Sequence, residues 1–144
     1  MRLSTKGRYA VMAMTDLARR QDAAARGVAL ADIAGRQEIS LAYLEQIFAR
    51  LRREGLVVSA RGPGGGYRLA TDAEAVSIAS IVHAVDEPLR STRCAAERGC
   101  LIKGDKCITH DLWEGLDNQI EAYLASVSLA DVASGRLAAR ERAA

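Results

Sequence analysis

Leu56-Val57-Val58-Ser59-Ala60-Arg61, Gly62-Pro63-Gly64-Gly65-Gly66 and Tyr67-Arg68-Leu69-Ala70 run consecutively, and their reading decides the fold. The first block has strand composition, with β-branched residues at its centre. The second forms neither helix nor strand, because Pro63 lacks an amide donor and the glycines offer no side chain to pack. The third resumes a strand, so the two strands and their glycine-rich turn make a β-hairpin. Upstream, Ser4 or Thr5 can cap a first helix whose Ala10, Ala13, Met14 and Leu17 follow helical spacing. Residues 21–27 are small and polar and read as a loop. A short helix from Leu30 to Arg36 buries Leu30, Ile33 and Ala34. Gln37-Glu38-Ile39 makes a tight connection, and Ser40 caps a third helix with Leu41, Leu44, Ile47, Phe48 and Leu51 on its apolar face. Gly55 stops it in the left-handed position after a helix. Helix, helix, tight turn, helix, hairpin is the order of a winged helix-turn-helix, a mainly α fold with a small β-hairpin wing.

After Thr71 the chain turns helical again. Ile78, Ile81, Val82 and Val85 share one face of a helix that Pro88 ends, and His83 within it reads as a packed histidine. Residues 89–109 show no period, and a loop of this length is uncommon in a compact domain unless it has a task. A long helix follows, in which Trp113, Leu116, Ile120, Tyr123 and Val127 recur as a heptad seam. Such a seam fits a two-fold homodimer, or packing back onto its own domain. Ser128 caps one further turn. The expected organisation is a DNA-binding domain at 1–72, a dimerisation region at 73–130 with a ligand loop at about 89–110, and a flexible tail at 131–144.

Composition narrows the function. Apolar residues make up 49% of the 144, enough for a core built from aliphatic side chains. No apolar run approaches the roughly 18 residues of a membrane helix. The first residues carry no apolar signal region, so a cytoplasmic protein is expected, where thiols stay reduced. Residues 1–70 hold twelve Lys/Arg against six Asp/Glu, and residues 71–144 hold eight against twelve. A basic front half suits a polyanion, although scattered solvated charge would look similar. No Ser/His/Asp or paired-carboxylate arrangement stands out, so an enzyme is not expected.

In a helix-turn-helix the second helix of the pair enters the major groove of double-stranded DNA with its N-terminal residues. The outward positions there include Ser40, Tyr43, Glu45 and Gln46. Gln46 suits a bidentate contact to adenine, Glu45 can accept from cytosine N4, and Ser40 and Tyr43 can donate to phosphate or base. Glu45 beside phosphates is repelled unless a cytosine amino group satisfies it, so it would reject sites lacking that donor; an ion pair with a surface Arg is the alternative. Arg50, Arg52 and Arg53 lie further along, toward phosphates or solvent. Arg61 at the wing tip can enter a narrow minor groove or stay solvated. A dimer would read pseudo-palindromic sites.

The three cysteines and one histidine read Cys94-x5-Cys100-x6-Cys107-x2-His110. Three thiolates and an imidazole suit iron or zinc. Both inter-cysteine gaps exceed the short spacing of structural zinc sites. A two-iron cluster is larger, and some such centres replace Cys with His. Cys107 and His110 share a helix face at i, i+3, and Lys103 and Lys106 would offset the negative charge.

Several segments together resemble the iron–sulfur-cluster regulators of the Rrf-two family. They are Met1-Arg2-Leu3-Ser4-Thr5-Lys6-Gly7-Arg8-Tyr9-Ala10, Ser40-Leu41-Ala42-Tyr43-Leu44-Glu45-Gln46-Ile47-Phe48, and Arg61-Gly62-Pro63-Gly64-Gly65-Gly66-Tyr67. Ala84-Val85-Asp86-Glu87 and Lys106-Cys107-Ile108-Thr109-His110-Asp111-Leu112-Trp113 match as well. The resemblance spans roughly residues 1–130. It implies a homodimeric transcription factor, repressor or activator, that binds a [2Fe-2S] cluster and controls cluster-assembly genes. It gives the ligand role to Cys94, Cys100, Cys107 and His110, with the second gap one residue longer than the family's pattern. A related branch senses nitric oxide with a four-iron cluster held by three Cys; the His after the third Cys favours the two-iron branch. A zinc-stabilised protein that binds no DNA is the reading from another class.

Overall fold

The computed structural model describes residues 4–60, 62, 63, 65–85, 100–102, 104–137 and 142. Helix α1 (Thr5–Arg20) lies at the centre, with Ser4 Oγ accepting from the Gly7 amide at its start. Ala10, Ala13, Met14 and Leu17 are fully buried, as their spacing predicts. Around α1 pack α2 (Leu30–Gln37), α3 (Leu41–Arg53) and the hairpin strands β1 (Val57–Ser59) and β2 (Tyr67–Leu69). Glu38 carries the α2–α3 turn in the left-handed region at φ 55°, where a side chain costs energy that the packed helices on either side must offset. In α3, Leu44, Ile47, Phe48 and Leu51 are fully buried. Leu41 is not: it is 42% exposed, because it stands at the first position of the helix, ahead of the turn that meets α1 and α2. Gly55 takes φ 74° after α3, as expected of a helix stop.

The wing strands pair antiparallel, Val57 with Leu69 and Ser59 with Tyr67, and Phe48 meets the Tyr67 ring edge-on at 4.9 Å. The expected strands were longer; the ladder proper spans Val57–Ser59 and Tyr67–Leu69, and Gly65 N donates to the Gly62 carbonyl between them. Val28, in the segment expected to be plain loop and helix lead-in, joins the sheet by exchanging both backbone bonds with Tyr67. That approach requires Gly66, since a Cβ there would lie 2.3 Å from the Val28 carbonyl. Arg68 donates to the Gln21 and Ala24 carbonyls, and Arg26 to the Pro63 carbonyl at 3.4 Å. The wing is thereby fastened to the end of α1 and the connection that follows it.

Helix α4 (Ile78–Val85) continues the same core: Ile81, Val82 and Val85 are fully buried against α1 and α3. Helix α5 (His110–Ser126) leaves this body, and the chain returns through Val127, whose carbonyl accepts from Ile78 N while Val76 accepts from Leu129 N. Helix α6 (Leu129–Ala133) then packs on α1, capped by a reciprocal Ser128–Asp131 box. Val76, Ile78, Ile81, Val82, Val85, Val127 and Leu129 are buried in one cluster with the apolar residues of α1 and α3, and Leu137 packs on it. Two side-chain expectations are corrected here. Val127 lies outside α5 in extended conformation and is buried in its own chain, so it leaves the heptad seam. His83 is exposed rather than packed, its Nε2 3.0 Å from Glu121 of α5.

Asp16 is the one buried carboxylate among the described residues, 4% exposed. Arg36 donates to it through Nε and Nη2, the latter at 2.6 Å, and Gln37 Nε2 adds a bond at 2.8 Å. Burial alone would raise its pKa, but the bonds from Arg36 and Gln37 and the charges of Arg36 and Arg20 hold it below the usual carboxylate range. The group ties α2 to α1 beneath the helix-turn-helix.

Candidate nucleic-acid interface and metal centre

Helix α3 presents Ser40, Ala42, Glu45, Gln46 and Ala49 to solvent, opposite its buried stripe. Ser40 Oγ accepts from the Tyr43 amide at 3.3 Å, which caps the helix and leaves its hydroxyl proton to donate outward. Tyr43 is half-buried with its ring edge-on to Tyr9 at 5.9 Å, so α1 fixes the direction of the phenol. Glu45 and Gln46 stand side by side, flanked by small alanines that would let a groove approach. Arg61 lies outside the described residues. Arg50 is exposed, in line with expectation, and also donates from Nη1 to the Val85 carbonyl of α4 at 3.0 Å, a contact visible only once α4 is placed beside α3.

The second group sits where α5 begins. Cys100 Sγ is 3.0 Å from His110 Nδ1, and His110 is the only buried residue of α5. The His110 amide donates to the Cys107 carbonyl at 3.0 Å, which places Cys107 one turn before the ring. Cys100 N and Leu101 N both donate to the Asp105 carbonyl, and Gly104, at φ 87°, closes the turn onto Leu101. This turn takes up part of the long interval between the two thiols. Thr109 Oγ1 accepts from Trp113 Nε1 at 3.2 Å and lies 3.6 Å from Cys107 Sγ. Trp can only donate, so the Thr109 proton is available to the sulfur. Glu114 Oε1 is 4.0 Å from His110 Nε2. Sequence reasoning did not single out Thr109 and Glu114; their i, i+4 relations to Trp113 and His110 were the available signal.

Cys94 and Lys103 lie outside the described residues; the structure pairs Cys100 Sγ with His110 Nδ1, while Cys107 reaches His110 through its backbone carbonyl and has its Sγ 3.6 Å from Thr109 Oγ1. His110, Asp111 and Glu114 also have ligand atoms within 4.8 Å of one another, but both carboxylates are exposed. The sulfur beside Nδ1 makes a softer donor set, suited to iron with sulfide or to zinc rather than to a hard cation. A half-buried thiol against a buried imidazole, with a second half-buried thiol one turn away, is donor chemistry that fits an iron–sulfur cluster.

A winged helix-turn-helix with an outward polar recognition face defines a DNA-binding transcriptional regulator. Residues 3–135 match the Rrf2 family, described as iron-dependent transcriptional regulators. The chain belongs to that family. It is 50% identical over 137 residues to the HTH-type transcriptional regulator IscR of Yersinia enterocolitica, covering 94% of this chain and 81% of that one. IscR of Yersinia pseudotuberculosis matches equally, 50% over 137 residues, again 94% and 81%. Among solved structures, T. potens IscR superposes with a TM-score of 0.76 at 36% identity, over 94% of this chain and 88% of that one. CymR, the global cysteine regulator of B. subtilis, superposes with a TM-score of 0.77 at 30% identity, over 93% and 97%. These relatives are regulators, and the chain is not an enzyme. No helix among the described residues is long and apolar enough to cross a membrane.

Proposed function

We propose that this regulator senses iron–sulfur cluster status through a [2Fe-2S] cluster held by Cys94, Cys100, Cys107 and His110, and controls cluster-assembly genes as repressor or activator. The observation that carries the reading is Cys100 Sγ at 3.0 Å from a buried His110 Nδ1, at the root of α5 and beside Cys107. Likeness to IscR supports it. When bound, the cluster would supply a redox-active, labile centre whose presence reports on supply. The protein's own residues do the rest. Cys100 and His110 are pre-positioned by the Asp105 turn and by burial of the ring. Thr109 offers a proton toward Cys107, which favours its thiolate.

On DNA, Glu45 and Gln46 read base edges in the major groove, Ser40 and Tyr43 anchor, and Arg61 follows the minor groove. The protein works as a homodimer on pseudo-palindromic double-stranded sites in the cytoplasm. Leu112 and Tyr123, 64% and 53% exposed on α5, would be covered by the second copy. Protein purified without oxygen tests the metal reading. The expected outcome is a coloured sample with two irons and two sulfides per chain, lost when Cys100 or His110 is replaced by Ala. Four irons per chain, or zinc without colour, would contradict it.

A further inference from the structure

The connection between α1 and α2 is built into the wing. Val28 exchanges backbone bonds of 2.9 and 2.8 Å with Tyr67. Gly27 turns the chain just before it at φ 85°, where a Cβ would press on the Gly66 and Tyr67 backbone at 3.1 Å. Arg26 stands one residue further back, and its Nη1 donates to the Pro63 carbonyl of the wing turn at 3.4 Å. The two guanidiniums of this region differ. Arg68 is half-buried and spends its donors on the Gln21 and Ala24 carbonyls. Arg26 is exposed, and Pro63 occupies only one of its five N–H donors. No ion pair among the described residues includes Arg26. Its neighbour Ala25 and the wing residues Gly62 and Pro63 are exposed and compact, so its charge stands open beside the wing.

We infer that Arg26 is a phosphate contact, which holds the backbone of double-stranded DNA against the flank of the wing. This rests on the reading that the wing follows the minor groove. That groove is only about 6 Å wide, so a wing in it lies between two rows of phosphates, and a cation fastened to the wing turn meets one of them. The planar fork of Arg26 can keep the Pro63 carbonyl on one edge while offering two parallel donors to phosphate oxygens on another. Such a contact carries no base information. It adds affinity and sets how deep the wing sits.

The test uses the full chain purified without oxygen, on a duplex that it selects from a random-sequence library, titrated over a range of salt. Arg26→Gln keeps a donor for Pro63 and loses the charge; Arg26→Lys keeps the charge. Arg26→Gln should lower the salt slope by about one and weaken binding roughly 5- to 10-fold at about 0.1 M salt, equally on the selected duplex and on unrelated sequence. Arg26→Lys should retain the wild-type slope. Replacing the duplex phosphates one at a time by uncharged methylphosphonates should reveal a position that weakens wild type and leaves Arg26→Gln unaffected. An unchanged slope in Arg26→Gln, or no such position, overturns the inference, and Arg26 then serves only to brace the wing. Arg61→Ala, measured alongside, reports on the wing reading. If it alters neither slope nor affinity, the wing stands clear of the groove, and that reading falls with this inference. A loss in Arg61→Ala with none in Arg26→Gln overturns this inference alone.

Discussion

The winged-helix body and α5 bury their apolar surface to different degrees. In the body, Met14, Leu17, Leu44, Ile47, Phe48 and Leu51 all reach zero exposure. In α5 only His110 is buried, while Trp113, Leu116 and Ile120 are half-covered and Leu112 and Tyr123 stand out. The body draws its stability from contacts within one chain. The long helix offers its apolar surface outward, and its single buried position is the imidazole that meets Cys100. The two parts belong to one core-sharing unit, joined through α4 and the 127–129 return.

Truncations should expose this difference most sharply. Phe48→Ala is expected to destabilise the fold by about 3–5 kcal/mol, since it removes a fully buried ring and leaves a cavity beside Tyr67. Leu112→Ala should change the unfolding free energy by less than about 0.5 kcal/mol in dilute protein, as for an exposed site, yet weaken self-association in sedimentation. Similar losses of stability from the two would erase the contrast.

Asp16→Ala comes next. Removing the carboxylate leaves Arg36 without its partner, and about 2–3 kcal/mol of stability should go. That is less than for a fully enclosed pair, because Arg36 is 30% exposed and can turn to water. The wild-type contribution has a defined pH sense. The folded pKa lies below that of the unfolded chain, so the stabilisation is complete above about pH 4 and is lost as pH falls through the folded value. Urea unfolding across acid pH should show wild type converging on the variant from above. Parallel curves would mean that Asp16 contributes through shape alone.

A smaller loss than at Asp16 is expected at the start of α5. Thr109→Val removes the acceptor of Trp113 Nε1 in an exposed setting, at a cost of about 0.5–1 kcal/mol. Trp113 emission should shift with it, and an unchanged spectrum would show that the indole bonds elsewhere.

Much of the body was legible in the sequence because apolar spacing and chain punctuation are local signals. Ser4, Ser40 and Gly55 end or start helices where their chemistry suggests, and the Gly62–Gly66 run turns the wing. What escaped depends on which segment lies alongside. Val28 joins the sheet only because Tyr67 arrives beside it. Arg50 bonds to the Val85 carbonyl only because α4 lies beside α3. His83 sits in an apolar helix but on the edge that meets Glu121. Val127 fits a heptad count, yet the helix stops one residue before it. At the candidate site, the ligand types and the Cys107–His110 spacing were readable. The pairing of Cys100 with His110 Nδ1 and the Thr109–Trp113 support were not, since both need the fold of the 100–107 turn.

The most direct test of the central claim uses one oxygen-free sample, titrated onto its self-selected duplex at fixed salt before and after chelation. The account predicts that the untreated sample carries stoichiometric iron and sulfide, and that stripping it changes affinity several-fold for at least one site. Superimposable curves from an iron-loaded and a stripped sample would contradict it.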